Sequence, residues 1–108
     1  MSRFVIVDYS PKPGMSDQLL AAVHKHLQAL RAEGLVTDRP ASVMRAADET
    51  VVEVFEWCSA DAIAKAHKTP AVQALRAEFG AACDYRPLKD FAESQQLFAD
   101  FEPVVLWT

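Results

Sequence analysis

Cysteine is scarce in this chain. Only Cys58 and Cys83 occur in 108 residues, and neither has a neighbouring cysteine or histidine at a zinc-binding spacing. A disulfide framework and a zinc-built core are excluded, and the two thiols read as small buried hydrophobes rather than a bridge. Positive charge is short as well. Eleven Lys and Arg against fifteen Asp and Glu leave a net charge of −4, with no basic stripe able to neutralise a run of phosphates, so nucleic acid is not an expected partner. Long apolar runs are missing. The stretch Phe4 to Val7 is too short for a signal-peptide core and runs straight into Asp8, and nothing approaches the ~20 apolar residues that span a bilayer. No membrane partner is expected, and the cytoplasm is the expected compartment. Internal repeats and low-complexity tracts are absent from the sequence.

What remains is the composition of an ordinary globular domain, residues 1–108 as one unit, able to bury ~65% of the surface of its unfolded form without a metal or cross-link. Arg3 to Tyr9 is rich in β-branched and aromatic residues and is closed by Pro11, Pro13 and Gly14, the pattern of a strand apolar on both faces. Ser16 reads as the cap of a helix carrying Leu19, Leu20, Val23, Leu27 and Leu30 at helical spacing until Gly34 stops it. Ala41 to Ala47 and Thr50 to Trp57 flank Asp48-Glu49 as a hairpin, although the glycine that favours the tightest turns is missing.

Ser59 then caps a short helix through His67, and Thr69 caps another that opens on Pro70. That helix carries Val72, Leu75, Phe79 and Cys83 in one stripe and is expected to fray near Tyr85, ahead of Pro87. Residues 88 to 96 read as irregular, and the apolar tail Leu97 to Trp107 as a last strand, interrupted or edged at Pro103. The order strand, helix, strand, strand, helix pair, strand predicts an α+β fold, a ferredoxin-like split βαβ with a four-stranded antiparallel sheet and helices on one face. Val5, Val7, Val51 and Phe55 are taken to include residues that cannot all face the helices, which predicts a second sheet face buried in a homodimer.

A few residues stand out from this core pattern. Arg76 lies about 40° from Val72 on the helical wheel, inside the apolar arc that also holds Phe79. It is either a cation facing a cavity or a side chain that packs its stem and keeps its head wet. Trp57 shares a strand face with Val51, Glu53 and Phe55, either as core filler or as a platform for a ligand ring. Glu53 on that face requires a partner, for which Arg76 is the natural candidate. The pair is either structural or a general base beside a cation. His67 is expected on the inward side of the short helix, as a helix-end group or a proton carrier. His24 and His26 are about 200° apart around their helix and cannot chelate one ion from a single face. His24 sits toward the apolar margin, and His26 is expected in solvent.

The segment Glu53-Val54-Phe55-Glu56-Trp57-Cys58-Ser59, continuing through Ala60 to His67 and on to Thr69-Pro70, resembles the antibiotic-biosynthesis-monooxygenase family of dimeric α+β barrels. The shared pattern is a strand ending in Glu-x-Trp, a polar cap, a short helix ending in His, and a Ser/Thr-Pro start to the next helix. With the order of elements, the resemblance covers nearly the whole chain. It implies a dimer of face-to-face sheets, each subunit with a cavity between sheet and helices. In the polyketide-oxidising members a Trp and an Arg line that cavity, matched here by Trp57 and Arg76, while the family's Asn and Tyr positions hold Glu53 and Ile63. The positions that the haem-degrading members need hold Val7, Ala66 and Arg76, which removes the imidazole an iron would require.

The expected function is therefore a cofactor-independent monooxygenase acting on a small aromatic phenol or quinol. Arg76, Glu53 and His67 are its candidate catalytic residues, and Trp57, Phe55, Ile63 and Phe79 its candidate binding residues, with no metal or organic cofactor called for. The alternative is a non-catalytic ligand-binding or dimer-forming barrel.

Overall fold

Val51–Trp57 forms the strand on which the rest of the sheet is organised. Its run of Val, Phe and Trp is buried on both faces, as befits a strand with neighbours on either side. The computed structural model describes residues 1–105. In chain order the elements are β1 (Arg3–Pro11), α1 (Ser16–Ala32), β2 (Ser42–Arg45), β3 (Val51–Trp57), α2 (Ala60–Ala66), α3 (Pro70–Ala82), β4 (Cys83–Arg86) and β5 (Glu102–Pro103). Two 3-10 turns, Leu88–Asp90 and Ala92–Gln95, separate β4 from β5. The fold is α+β, an antiparallel sheet in the order β4-β1-β3-β2-β5 with three α-helices. Among the described residues no helix is long and apolar enough to cross a membrane.

The sheet has five strands where the sequence predicts four. Residues 83–86, expected to be the frayed end of a helix, instead leave it sharply. Cys83 is already extended at φ −151° and ψ 170°, and the strand pairs with Asp8–Pro11. Pro87 favours the extended backbone at Arg86, so the proline that was expected to end a helix closes a strand. Among the described residues the tail contributes only Glu102–Pro103, paired to β2 at the sheet edge where a missing N–H is tolerated. The end of the expected tail strand, Leu106 and Trp107, lies outside the described residues.

Register decides which residues meet the helices. Val5 pairs with Phe55, Val7 with Glu53 and Tyr9 with Val51, so Val5, Val7, Val51 and Phe55 all point to the same, helix-covered side. The expectation that they divide between faces is therefore corrected. Alternation in β1 and β3 runs in phase across the pair, and the outward set is Phe4, Ile6, Val52 and Val54. Under the helices, Tyr9 and Val51 pack with Leu19 and Val23 of α1 and with Leu75 and Phe79 of α3. Phe55 and Trp57 pack with Leu30, Ala66 and Val72.

The outer face is half covered by the chain itself. Val52 packs with Ala46 and Phe91, beside Met44, Val54 and Phe101, with the Phe91 and Phe101 rings edge to face at 5.6 Å. Phe4 (61% exposed) and Ile6 (48%) remain open, although the Arg39 guanidinium lies 5.2 Å from the Phe4 ring centre.

Local signals act as the sequence implies at three junctions. Gly34, at φ 69°, ends α1 in a Schellman arrangement. Its N–H bonds to Arg31 O at 2.9 Å, and Leu35 N–H bonds to Leu30 O at 3.0 Å. Ser59 Oγ accepts from Ala62 N–H at 3.1 Å and caps α2. The hairpin that lacks a glycine places Glu49 at φ 72°, a left-handed conformation that a side chain makes unfavourable. Ser16, by contrast, begins α1 rather than capping it, and Cys58 is exposed where a buried thiol was expected.

Glu56 points to the outer face and gathers three donors. Ser2 Oγ lies at 2.7 Å, Thr37 Oγ1 at 2.8 Å and Arg39 Nε at 3.0 Å. These bonds, Ser2 first, then Arg39 and Thr37, hold its carboxyl down to about 2 from an ordinary 4.5. A carboxyl depressed in the folded state adds stability that is present above pH 4.5 and is lost as pH falls toward about 2. Thermal melts across that window are therefore expected to show Glu56→Gln less stable than wild type near neutrality, with the gap closing as the acid limb is descended. A constant gap at every pH contradicts the assignment.

Candidate functional site

Between the sheet and the helices lies a partly open hollow of about 330 Å3. Its floor is Val5, Val7 and Tyr9 of β1 with Phe55 and Trp57 of β3, and its sides are His26 of α1, Arg76 of α3 and Tyr85 of β4. Each comes from a different periodicity. Odd-numbered residues of β1 and β3 turn inward by strand alternation, and His26 and Arg76 turn inward because each lies within its helix's apolar stripe. The indole of Trp57 and the guanidinium of Arg76 thus face one space.

Behind Tyr9 and His26 sits Glu53, only 1% exposed. Tyr9 Oη donates to Glu53 Oε1 at 2.8 Å, and His26 Nδ1 lies 2.8 Å from the same oxygen. Val7 is directly opposite Glu53 across the β1–β3 pair, so Tyr9 reaches it along the diagonal. Burial, then the Glu53 charge and the bond to it, push the Tyr9 hydroxyl far above the ordinary range, so it remains a proton donor. A carboxylate accepts and cannot donate, so with Glu53 ionised the hydrogen of this contact belongs to His26 Nδ1, and in the neutral ring the lone pair then lies on Nε2. The imidazole, with 12% of its side chain exposed, is fixed edge to face against Phe55 (5.3 Å, 86°) and Phe79 (5.2 Å, 76°). Phe79 in turn stacks on Tyr9 at 4.7 Å.

Arg76 donates from Nη1 to His67 Nδ1 at 2.7 Å. The expected pair of Glu53 and Arg76 is therefore not formed. Glu53 is held by Tyr9 and His26, and Arg76 by a histidine at the end of α2. His67 is exposed and meets the hollow only through Arg76, rather than lying inward as expected. Trp57, Phe55 and Arg76 line the hollow together, Phe79 supports it from behind, and Ile63 packs in the cluster around Trp57 without reaching it. Tyr85, whose hydroxyl is pushed up by burial, closes the side next to Tyr9, with the rings 5.6 Å apart.

The sequence reading places His26 in solvent, and the structure puts it inside. The signal was present: His26 follows Leu19 by seven residues and Val23 by three, and precedes Leu30 by four, which is the spacing of a buried stripe. A second hollow, of about 300 Å3, lies between α1 and β2. His24, Leu27, Ala41 and Val43 line it, and Glu53 forms part of its wall.

Comparison with protein-family models, with curated proteins and with solved structures gives no match to this chain.

Proposed function

We propose that the protein is a cofactor-independent monooxygenase of the antibiotic-biosynthesis-monooxygenase type, taking a small phenol or quinol into the hollow between sheet and helices. The observation that carries this reading is that Trp57 and Arg76, the two residues matching the polyketide-oxidising members, line one aromatic-walled space. A substrate ring lies against Trp57 and Phe55, and its oxygen, once deprotonated, faces the Arg76 guanidinium. The electron-rich anion then adds oxygen at a ring carbon; the C–H bond there and the O–O bond break, the carbon becomes a carbonyl, and the outer oxygen leaves as water with that hydrogen and the proton first taken from the substrate. The test is oxygen uptake with matched substrate loss over a panel of anthrones and hydroquinones. No turnover on any member rejects the reading.

The subunit reading is a ferredoxin-like half of a dimeric α+β barrel, supported by the β4-β1-β3-β2 order within the sheet and by open Phe4 and Ile6 on its outer face. In sedimentation velocity the protein is expected to run as a dimer and Ile6→Asp as a monomer. A monomeric wild type at micromolar concentration removes the barrel.

One observation favours the alternative of a binding protein without chemistry. The two charged side chains about the hollow already have partners within the chain, Glu53 with Tyr9 and His26, and Arg76 with His67. Saturable binding of panel members without oxygen uptake is the outcome that selects it.

A further inference from the structure

We infer that His26 is the proton acceptor of the hollow, positioned by Glu53, and that the occupant it serves is a neutral, planar hydroxy-aromatic that becomes an anion on binding. The inference rests on the hollow being the substrate site, as proposed above, but not on any reaction with oxygen.

Four groups compete for the role, and the geometry separates them. Glu53 is buried behind the lining, with two donors already on Oε1. Tyr9 spends its hydroxyl proton on that carboxylate and resists losing it. His67 is exposed, and its Nδ1 is occupied by Arg76. His26 alone among them both lines the hollow and keeps a ring nitrogen, Nε2, that makes no hydrogen bond among the described residues. The groups facing it are Glu53 from β3, Tyr9 from β1, Tyr85 from β4 and Arg76 from α3. On its own helix Lys25 turns away to Glu78 at 3.0 Å, and His24 faces the second hollow.

The charges select the ligand. With His26 as the acceptor, the state before transfer has one guanidinium, one carboxylate, a neutral imidazole and a neutral ligand. The ligand O–H breaks, its electron pair stays on oxygen, and the proton joins the Nε2 lone pair. The result is two facing ion pairs, phenolate with Arg76 and imidazolium with Glu53, so the transfer buries no net charge. A ligand that arrives as a carboxylate has no use for the base, and an ammonium ligand is repelled by Arg76. At about 330 Å3 the space is near the small end of ligand cavities, with aromatic walls that favour a flat ring.

The probe is 4-nitrophenol, whose anion absorbs in the visible and which needs no oxygen chemistry to report. Bound to wild type, its titration midpoint is expected at least one pH unit below that of the free phenol. In His26→Gln, which retains a donor toward Glu53, the midpoint returns toward the free value and affinity at neutral pH falls about tenfold. Glu53→Gln gives an intermediate shift, as a positioning residue should. Since a variant that folds poorly is uninformative, 15N-labelled imidazole in wild type provides a second readout, with Nε2 of His26 gaining a proton when nitrophenol binds. The inference is overturned by a His26→Gln midpoint equal to wild type, by an Nε2 signal unchanged on binding, or by no binding at all. A His26-dependent shift with no turnover of anthrones or hydroquinones sustains the proton acceptor and rejects only the oxygenase.

Discussion

Arg76→Ala is expected to lower kcat for oxygen-coupled turnover by about 10²–10³-fold, the loss seen when one preorganised charge donor is removed from a developing anion. Among the described residues Arg76 is the only guanidinium or ammonium lining the hollow, so no described neighbour substitutes for it. Its placement is not left to rotamer chance. Nη1 is held at 2.7 Å by His67 Nδ1, which fixes the fork before any ligand arrives. Arg76→Lys retains the charge but loses the planar fork, so it is expected to recover only part of the rate. His67→Ala leaves the cation in place and loosens it, which predicts a much smaller fall that appears chiefly in KM. Steady-state kinetics on the best panel substrate check all three. Equal losses for Arg76→Ala and His67→Ala, with kcat and KM moving alike, count against a charge acting on the reacting oxygen.

The same pair gives a view of what a sequence can and cannot disclose. That Arg76 turns inward follows from its place among Val72, Leu75 and Phe79, and that Trp57 turns inward follows from two-residue alternation with Phe55. Both were legible because periodicity fixes direction, and the structure places them on one hollow. Periodicity does not fix partners. Opposite charges on one core suggest pairing Glu53 with Arg76, yet the β1–β3 register brings Tyr9 to the Glu53 diagonal and α1 lays His26 over it. Only the register, a long-range property, discriminates between those pairings.

The missed strand has a similar cause. Cys83 to Arg86 carries no alternation that distinguishes it from a fraying helix end, and its pairing with Asp8–Pro11 supplies what local propensity does not. The half-covered outer face depends on the irregular stretch after β4 folding back so that Phe91 meets Val52. Ser59 and Gly34 act as their sequence signals imply, since each works within a few residues of itself, whereas Ser16 lies one position inside the helix it is expected to cap.

Phe79→Ala is expected to be the most damaging single change to stability, by about 3–5 kcal/mol, because it removes a fully buried ring from a packed interior that relaxes only in part. Against a total of roughly 5–15 kcal/mol for a domain of this kind, that is a large fraction, and it corresponds to a fall in Tm of roughly 15–30 °C. The position is more than filler, since the ring stacks on Tyr9 at 4.7 Å and meets the edge of His26 at 5.2 Å. Its loss frees both of the groups that bond to Glu53. Phe79→Leu keeps most of the volume without the flat face, so it is expected to restore most of the melting temperature and little of the order around His26. Thermal melts read the first effect, and the nitrophenol midpoint reads the second. If Phe79→Leu recovers both together, the ring acts through volume alone, and the aromatic cage does not hold the imidazole.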